Sequence, residues 1–134
     1  MYLLDTNICI HCMRKPSSVL IEKLFSFDPK DLFISSVTVS ELEYGSAKSR
    51  HPETTRYQVA QFLASFNILP FTSEDAVCAG RMRQYLESKG TPIGPYDLQI
   101  AAQALTRGFA VVTHNTREFK RVPRLIIEDW IKQT

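Results

Sequence analysis

Short apolar runs alternate along the chain with longer segments whose apolar positions recur at helical spacing. Tyr2 to Leu4 reads as a short buried strand, and Asp5-Thr6-Asn7 supplies capping residues for a helix behind it. A second helix follows Pro16, with Val19, Leu20, Leu24 and Phe27 on its apolar face. Leu32 to Ile34 is the next strand, and Ser35 or Ser36 caps a helix from Val37 to about Lys48, which His51-Pro52 breaks. Glu53 to Phe66 has a helical pattern, Ile68-Leu69 is a brief strand, and Ser73 caps a long helix ending at Lys89-Gly90. The turn Thr91-Pro92-Ile93-Gly94-Pro95 leads into a further helix that Gly108 terminates. Phe109 to Val112 is a buried strand, and Leu125 to Ile127 is the last one, ahead of Trp130. Strands joined through helices predict an α/β fold with a mostly parallel sheet covered on both faces. Such sheets bind ligands beyond the carboxyl ends of their strands. With no repeat, linker or low-complexity tract, residues 1–134 read as a single domain.

Composition narrows the function. At 134 residues, 44% hydrophobic and 22% charged, the chain can build a core without disulfides or a structural metal. Its apolar runs fall far short of the ~20 residues needed to cross a bilayer. The stretch Met1-Tyr2-Leu3-Leu4 has no basic residue and meets a carboxylate at once, so nothing there resembles a secretion signal and the cytoplasm is the expected compartment. A net charge of +2 does not by itself announce nucleic-acid binding. The basic residues are nevertheless clustered: Arg107, Arg117, Lys120, Arg121 and Arg124 face the single acid Glu118 in the C-terminal third, with smaller groups at Arg14-Lys15, Lys48/Arg50 and Arg81/Arg83. These clusters either steer a polyanion or are simply solvated faces. The three cysteines read as reduced thiols. Cys9 and Cys12 have C-x-x-C spacing, but Cys78 stands alone and leaves a zinc site without its second pair; Ile10 between them fits a packed helix face better than a redox motif.

The distinctive chemistry is carboxylate. Asp5 ends the first strand. Asp97 heads a helical stripe of Ile100, Ala101, Ala104, Leu105 and Gly108, which places it on the buried face at the same rim. Glu41 and Glu43 are two residues apart on one helix and cannot share a face. Glu41, with the small neighbours Thr38 and Gly45, is the one expected to approach the sheet. Thr113 and Asn115 can offer oxygen ligands at the end of the penultimate strand, Glu118 lies one turn on, and alternation turns His114 to the other side. Converging carboxylates with no Lys or Arg among them repel one another unless a hard divalent cation joins them. Oxygen-only ligands suit Mg²⁺ or Mn²⁺, and in-line hydrolysis of a phosphodiester is a reaction that uses such a site.

The segments Leu4-Asp5-Thr6-Asn7, Ser36-Val37-Thr38-x-x-Glu41-Leu42-x-Tyr44-Gly45, Pro92-Ile93-Gly94-Pro95-Tyr96-Asp97 and Thr113-x-Asn115-Thr116-Arg117-Glu118-Phe119, closing with Glu128-Asp129-Trp130, resemble the PIN-domain ribonuclease toxins of the VapC type over the whole chain. The resemblance implies a five-stranded sheet in the order 3-2-1-4-5, a Mg²⁺ or Mn²⁺ site, and endonucleolytic cleavage of structured RNA such as tRNA, inhibiting translation and growth. It also implies restraint by a cognate VapB antitoxin, with homodimers that reach operator DNA only through the antitoxin complex. The family's three principal acids fall on Asp5, Glu41 and Asp97, the first and last holding the cation and Glu41 acting largely through water. The fourth position departs: many relatives have Asp where this chain has Asn115. Asn115 can bind through its carbonyl, Glu118 can substitute, or three carboxylates suffice. Thr6, Asn7 and Thr113 are expected in support, and Arg14, Lys15, Arg81, Arg83, Arg117, Lys120 and Arg121 as contacts to RNA phosphates. A catalytically silent RNA-binding or assembly module on the same fold is the alternative. A receiver module does not fit, because the chain lacks adjacent acids near its first strand and a mid-chain phosphoacceptor Asp.

Overall fold

The computed structural model describes residues 1–131, so the last three residues of the expected 1–134 domain lie outside the described residues. The elements in order are β1 (Tyr2–Leu4), α1 (Thr6–Arg14), α2 (Ser18–Phe25), a 3₁₀ turn (Pro29–Asp31), β2 (Leu32–Ser35), α3 (Ser36–Ala47), α4 (Pro52–Leu63), β3 (Asn67–Leu69), α5 (Ser73–Ser88), α6 (Pro95–Arg107), β4 (Ala110–Val112), α7 (Thr116–Phe119) and β5 (Ile126–Glu128). The five strands form one sheet in the order β3-β2-β1-β4-β5, and every pairing is parallel. The first strand of the sequence is therefore the central one. Leu4 lies beside Ile34 on one flank and Val112 on the other.

Alternation along β1 sends successive side chains to opposite faces and divides the core in two. Leu3 packs with Val111, Met82, Leu86, Ile100, Ala101 and Phe119, the layer built by α5 and α6. Leu4 packs with Ile34, Val112, Ile8, Leu20, Leu42, Val59 and Trp130, the layer built by the first four helices. Both leucines are fully buried, as expected for a parallel strand covered on both sides.

Several boundaries differ from those the sequence suggests. Thr72, not Ser73, caps α5: its hydroxyl accepts from the Asp75 N–H while the Asp75 carboxylate accepts from the Thr72 N–H. The fourth helix stops at Leu63 rather than Phe66, and Phe66 folds back to bring its ring within 4.9 Å of Phe62. Phe109 closes the C-terminal cap of α6 instead of opening β4, because its N–H returns to the Ala104 carbonyl across left-handed Gly108. Arg124 sits at φ 66°, and the turn it makes starts the last strand at Ile126 rather than Leu125.

Candidate active site

The carboxyl ends of β1, β2 and β4 open on one rim, and the strand-end backbone fixes what stands there. The Asp5 N–H donates to the Val112 carbonyl and the Thr113 N–H to the Glu128 carbonyl, extending the ladders one residue past the strands. Asp5 is the N-cap of α1: its Oδ1 accepts from the Ile8 N–H at 2.8 Å. Its Oδ2 is buried and has no hydrogen-bond partner among the described residues. A buried carboxylate oxygen left without a partner is costly, and it marks where a positive group would be stabilised.

Glu41 rises from α3 to the same rim. The Thr6 hydroxyl donates to Glu41 Oε1 at 2.7 Å and lies 3.0 Å from the Thr38 hydroxyl. Glu43, on the other side of the helix, points to Arg56 at 3.8 Å. Gly45 offers no clearance to the sheet, since a Cβ there would meet nothing within 4 Å. Buried Thr38, rather than Gly45, makes the close contact on that face of α3.

Asp97 enters from the first turn of α6 beside Glu118 of α7. Glu118 is held by two donors: the Gly94 N–H at 2.6 Å to Oε1 and the Asn115 amide nitrogen at 2.7 Å to Oε2. The Asn115 amide is thereby oriented, with its N–H₂ spent on Glu118. The Thr113 hydroxyl accepts from the Asn115 N–H at 2.9 Å, which fixes the turn between β4 and α7. At Gly94 a Cβ would lie 3.4 Å from Glu118 Oε1 and 3.8 Å from Asp97 Oδ2, ordinary van der Waals contact, so what the position contributes is its backbone N–H.

The electrostatics follow from this convergence. Burial raises the Asp5 carboxyl to about 6, with the Thr113 hydroxyl and Ile8 N–H pulling against it and the Glu41 charge adding to the rise. Burial also raises Asp97, to about 7, reinforced by the charges of Glu118, Asp5 and Glu41. The Glu41 charge thus reaches both aspartates, and the Asp5 charge reaches Asp97. Among the described residues none of the four carboxylates pairs with Lys or Arg. Nor, among those residues, do three Asp, Glu, His or Cys side chains close into a ready-made metal cage. The donor set is all oxygen, open on one side and electron-rich, with an orphaned buried carboxylate oxygen. That suits a hard cation whose shell is completed by water and substrate.

The remaining sequence candidates are scattered. Asn7 is exposed beside this rim on α1. Arg14 and Lys15 stand exposed at the end of α1, Arg81 and Arg83 on α5, with Arg83 bound to Glu87 at 2.9 Å. Arg117, Lys120 and Arg121 are exposed around α7, where Arg121 also donates to the Pro92 carbonyl at 2.7 Å. Arg107 does not belong to a basic docking face: its guanidinium grips buried Asp75 at 2.7 Å. His114 turns away from Thr113 and Asn115 to place Nδ1 3.1 Å from Asp129. Cys9 and Cys12 lie on α1, where burial pushes the Cys9 thiol well up and the Cys12 thiol to about 11. Sequence reasoning missed the Glu118 clamp and the Thr38–Thr6 contact. Neither left a signal in residue identity: the clamp uses the Gly94 backbone N–H, and the two threonines meet across 32 residues.

The PIN domain family model matches residues 2–125. The chain is 41% identical over 129 residues to the tRNA(fMet)-specific endonuclease VapC of Salmonella typhimurium, covering 96% of this chain and 97% of that protein. It is 38% identical over 132 residues to ribonuclease VapC2 of Rickettsia felis, covering 98% of each. Among solved structures, DNA-bound VapBC from Salmonella typhimurium superposes with a TM-score of 0.91 at 41% identity, over 96% of this chain and 97% of that one. VapBC2 from Rickettsia felis bound to a promoter DNA fragment gives 0.91 at 36% identity, over 96% and 98%.

Proposed function

The chain belongs to the PIN-domain family, as a VapC-type ribonuclease toxin of a toxin–antitoxin system, and from that premise we propose that it is a Mg²⁺-dependent endoribonuclease acting on structured RNA, with tRNA the favoured class. PIN-domain nucleases use a divalent metal. The observation that carries the reading is the buried Asp5 Oδ2, without a hydrogen-bond partner among the described residues, together with Asp97, whose carboxyl is raised by burial and by the charges of Glu118, Asp5 and Glu41. Asp5 and Asp97 are the residues that would hold Mg²⁺, or Mn²⁺ in its place. Glu41 would assist largely through water, and either the Asn115 carbonyl or Glu118 would fill the fourth position. Bound there, the cation supplies charge neutralisation at the phosphodiester and acidifies the attacking water.

The chain's own residues do the rest. The α1 N-cap geometry holds Asp5 in one orientation, and the ladder bond from its N–H prevents it from retreating from the rim. The Gly94 N–H and Asn115 amide hold Glu118 against Asp97. Exposed Arg117, Lys120 and Arg121 lie on α7 and the turn beyond it, next to Asn115 and Glu118, where phosphates flanking the cut would lie. Arg14, Lys15, Arg81 and Arg83 are the more distant contacts. Thr6, Asn7 and Thr113 support the site.

The same reading assigns a single domain over residues 1–134, a cognate VapB-type antitoxin, a homodimer, operator DNA reached only through the antitoxin complex, and action in the cytoplasm that arrests translation and growth. Among the described residues no helix is long and apolar enough to cross a membrane. The test is cleavage of total tRNA by purified protein, with Mg²⁺ and with chelator, beside Asp97→Asn. Cleavage that chelator abolishes and Asp97→Asn lacks is expected. Equal cleavage by both proteins, after trace nuclease is removed, overturns the assignment.

A further inference from the structure

Thr38 is fully buried in the first turn of α3, and Thr6 is nearly so at the start of α1. Two hydroxyls and a carboxylate form a chain there: Thr38 Oγ1 is 3.0 Å from Thr6 Oγ1, which is 2.7 Å from Glu41 Oε1. Each hydroxyl has a single proton. An ionised carboxylate only accepts, so the Thr6 proton is committed to Glu41. The Thr6 oxygen can then only accept from its neighbour, and the contact between the hydroxyls must run from Thr38 to Thr6. The direction of the whole chain is fixed by the acid at its end.

We propose that Thr38 is a positioning residue for Glu41, acting through Thr6. The assignment rests on the nuclease reading and deepens it. Thr38 touches neither the substrate nor the reacting atoms. Its donated proton holds the Thr6 hydroxyl in the one rotamer that points at Oε1, which ties up that oxygen and leaves Oε2 for the site. Thr6 directly follows Asp5, so the relay also sets the spacing between the acid that starts α1 and the acid on α3. A packing role alone would be served by valine, which has the same shape. The hydroxyl is explained by the relay.

The experiment compares Thr38→Val, Thr38→Ser, Thr6→Val and the double variant Thr6→Val/Thr38→Val in the full chain. Three quantities are measured: kcat and KM for tRNA cleavage at saturating Mg²⁺, Mn²⁺ affinity by calorimetry without RNA, and melting of the metal-free protein. Losing an outer hydrogen-bond partner of a metal-site acid costs on the order of 10–100-fold. Thr38→Val is expected to lose roughly 10-fold in kcat with KM unchanged, to bind Mn²⁺ several-fold more weakly on the same scale, and to melt close to the parent. Thr38→Ser restores both losses, and the double variant is no worse than Thr6→Val alone, as members of one chain should behave. If Thr38→Val does not fold, Thr38→Ala removes the same hydroxyl with less crowding and should show the same kcat loss. Parent-like kcat and Mn²⁺ affinity in the hydroxyl-deleted variant, or losses that multiply in the double variant, overturn the positioning role while the nuclease reading stands. A parent protein that neither cleaves RNA nor binds Mn²⁺ overturns both.

Discussion

Two buried aspartates sit in the opening turns of helices in this molecule, and they have opposite fates. Asp75 of α5 is completely buried yet satisfied on every side: Arg107 contacts both its oxygens, Thr106 donates to one and the Thr72 N–H to the other. Burial works to raise its pKa, but the Arg107 guanidinium and the donors from Thr72 and Thr106 overcome it and carry the carboxyl down to about 2. Asp5 of α1 is equally hidden, with one oxygen capped and the other unpartnered, and its pKa goes up to about 6. The first arrangement is what a protein builds when a charge only has to be tolerated. The second retains a cost that the fold could have relieved with an arginine, which supports the cation site proposed there.

The largest effect that would break this contrast is on catalysis. Asp5→Asn and Asp97→Asn should each lower RNA cleavage by about 10³-fold, roughly 4 kcal/mol of transition-state stabilisation. The metal-free melting temperature of each should stay level or rise, because a repelled buried charge has been removed. A fall in melting of the kind expected at Asp75 would show that the site acids are structural.

Arg107→Ala should do the reverse. It leaves Asp75 charged and unpaired, which costs about 3 kcal/mol and lowers melting by roughly 10 °C, while cleavage per folded molecule stays at the parent level. Calorimetry and an activity titration on the same preparation separate the two effects.

The pH response sharpens the same contrast. Asp5 and Asp97 have folded values of about 6 and about 7, above that of an unfolded aspartate. The metal-free protein therefore keeps protons that the unfolded chain has lost, and these two groups make stability fall as pH rises from about 4 to 7. Asp75 contributes in the opposite sense: its stabilisation is full above about 4 and is lost as pH drops toward 2. Mn²⁺ should accordingly raise the melting temperature more at pH 8 than at pH 5. An equal shift at the two pH values would disconnect the ion from these carboxyls.

The smallest expected effect is at Glu43, whose partner Arg56 is mostly exposed at 3.8 Å. Glu43→Gln should change stability by less than about 0.5 kcal/mol and leave cleavage unchanged. A large loss of activity would reassign the catalytic face of α3.

Much of this was legible before any coordinates, for a physical reason. Strand ends and helix stripes are periodic features, and periodicity alone places Asp5 and Asp97 at one rim and separates Glu41 from Glu43. The fourth acidic position was not readable. Whether Asn115 or Glu118 supplies it depends on a tight turn in which Asn115 donates to Glu118 and the Gly94 backbone completes the clamp, and a backbone N–H leaves no trace in residue identity. Thr38 was visible only as a small neighbour of Glu41, since its importance lies in contact with a residue 32 positions away. Arg107 misled in the same way: as one of a run of basic residues it suggested an outward-facing patch, and only the packing of α5 on α6 reveals its internal partner.

The strand that comes first in this sequence is the one the sheet needs in its middle. Tyr2 pairs with Leu32 on one side but must wait for Ala110 on the other. A nascent chain halted before α6 has already produced Asp5 and Glu41, but neither Asp97 nor Glu118. The proposed acidic centre therefore draws on both halves of the chain, and it is whole only once α6 and α7 have docked beside β1.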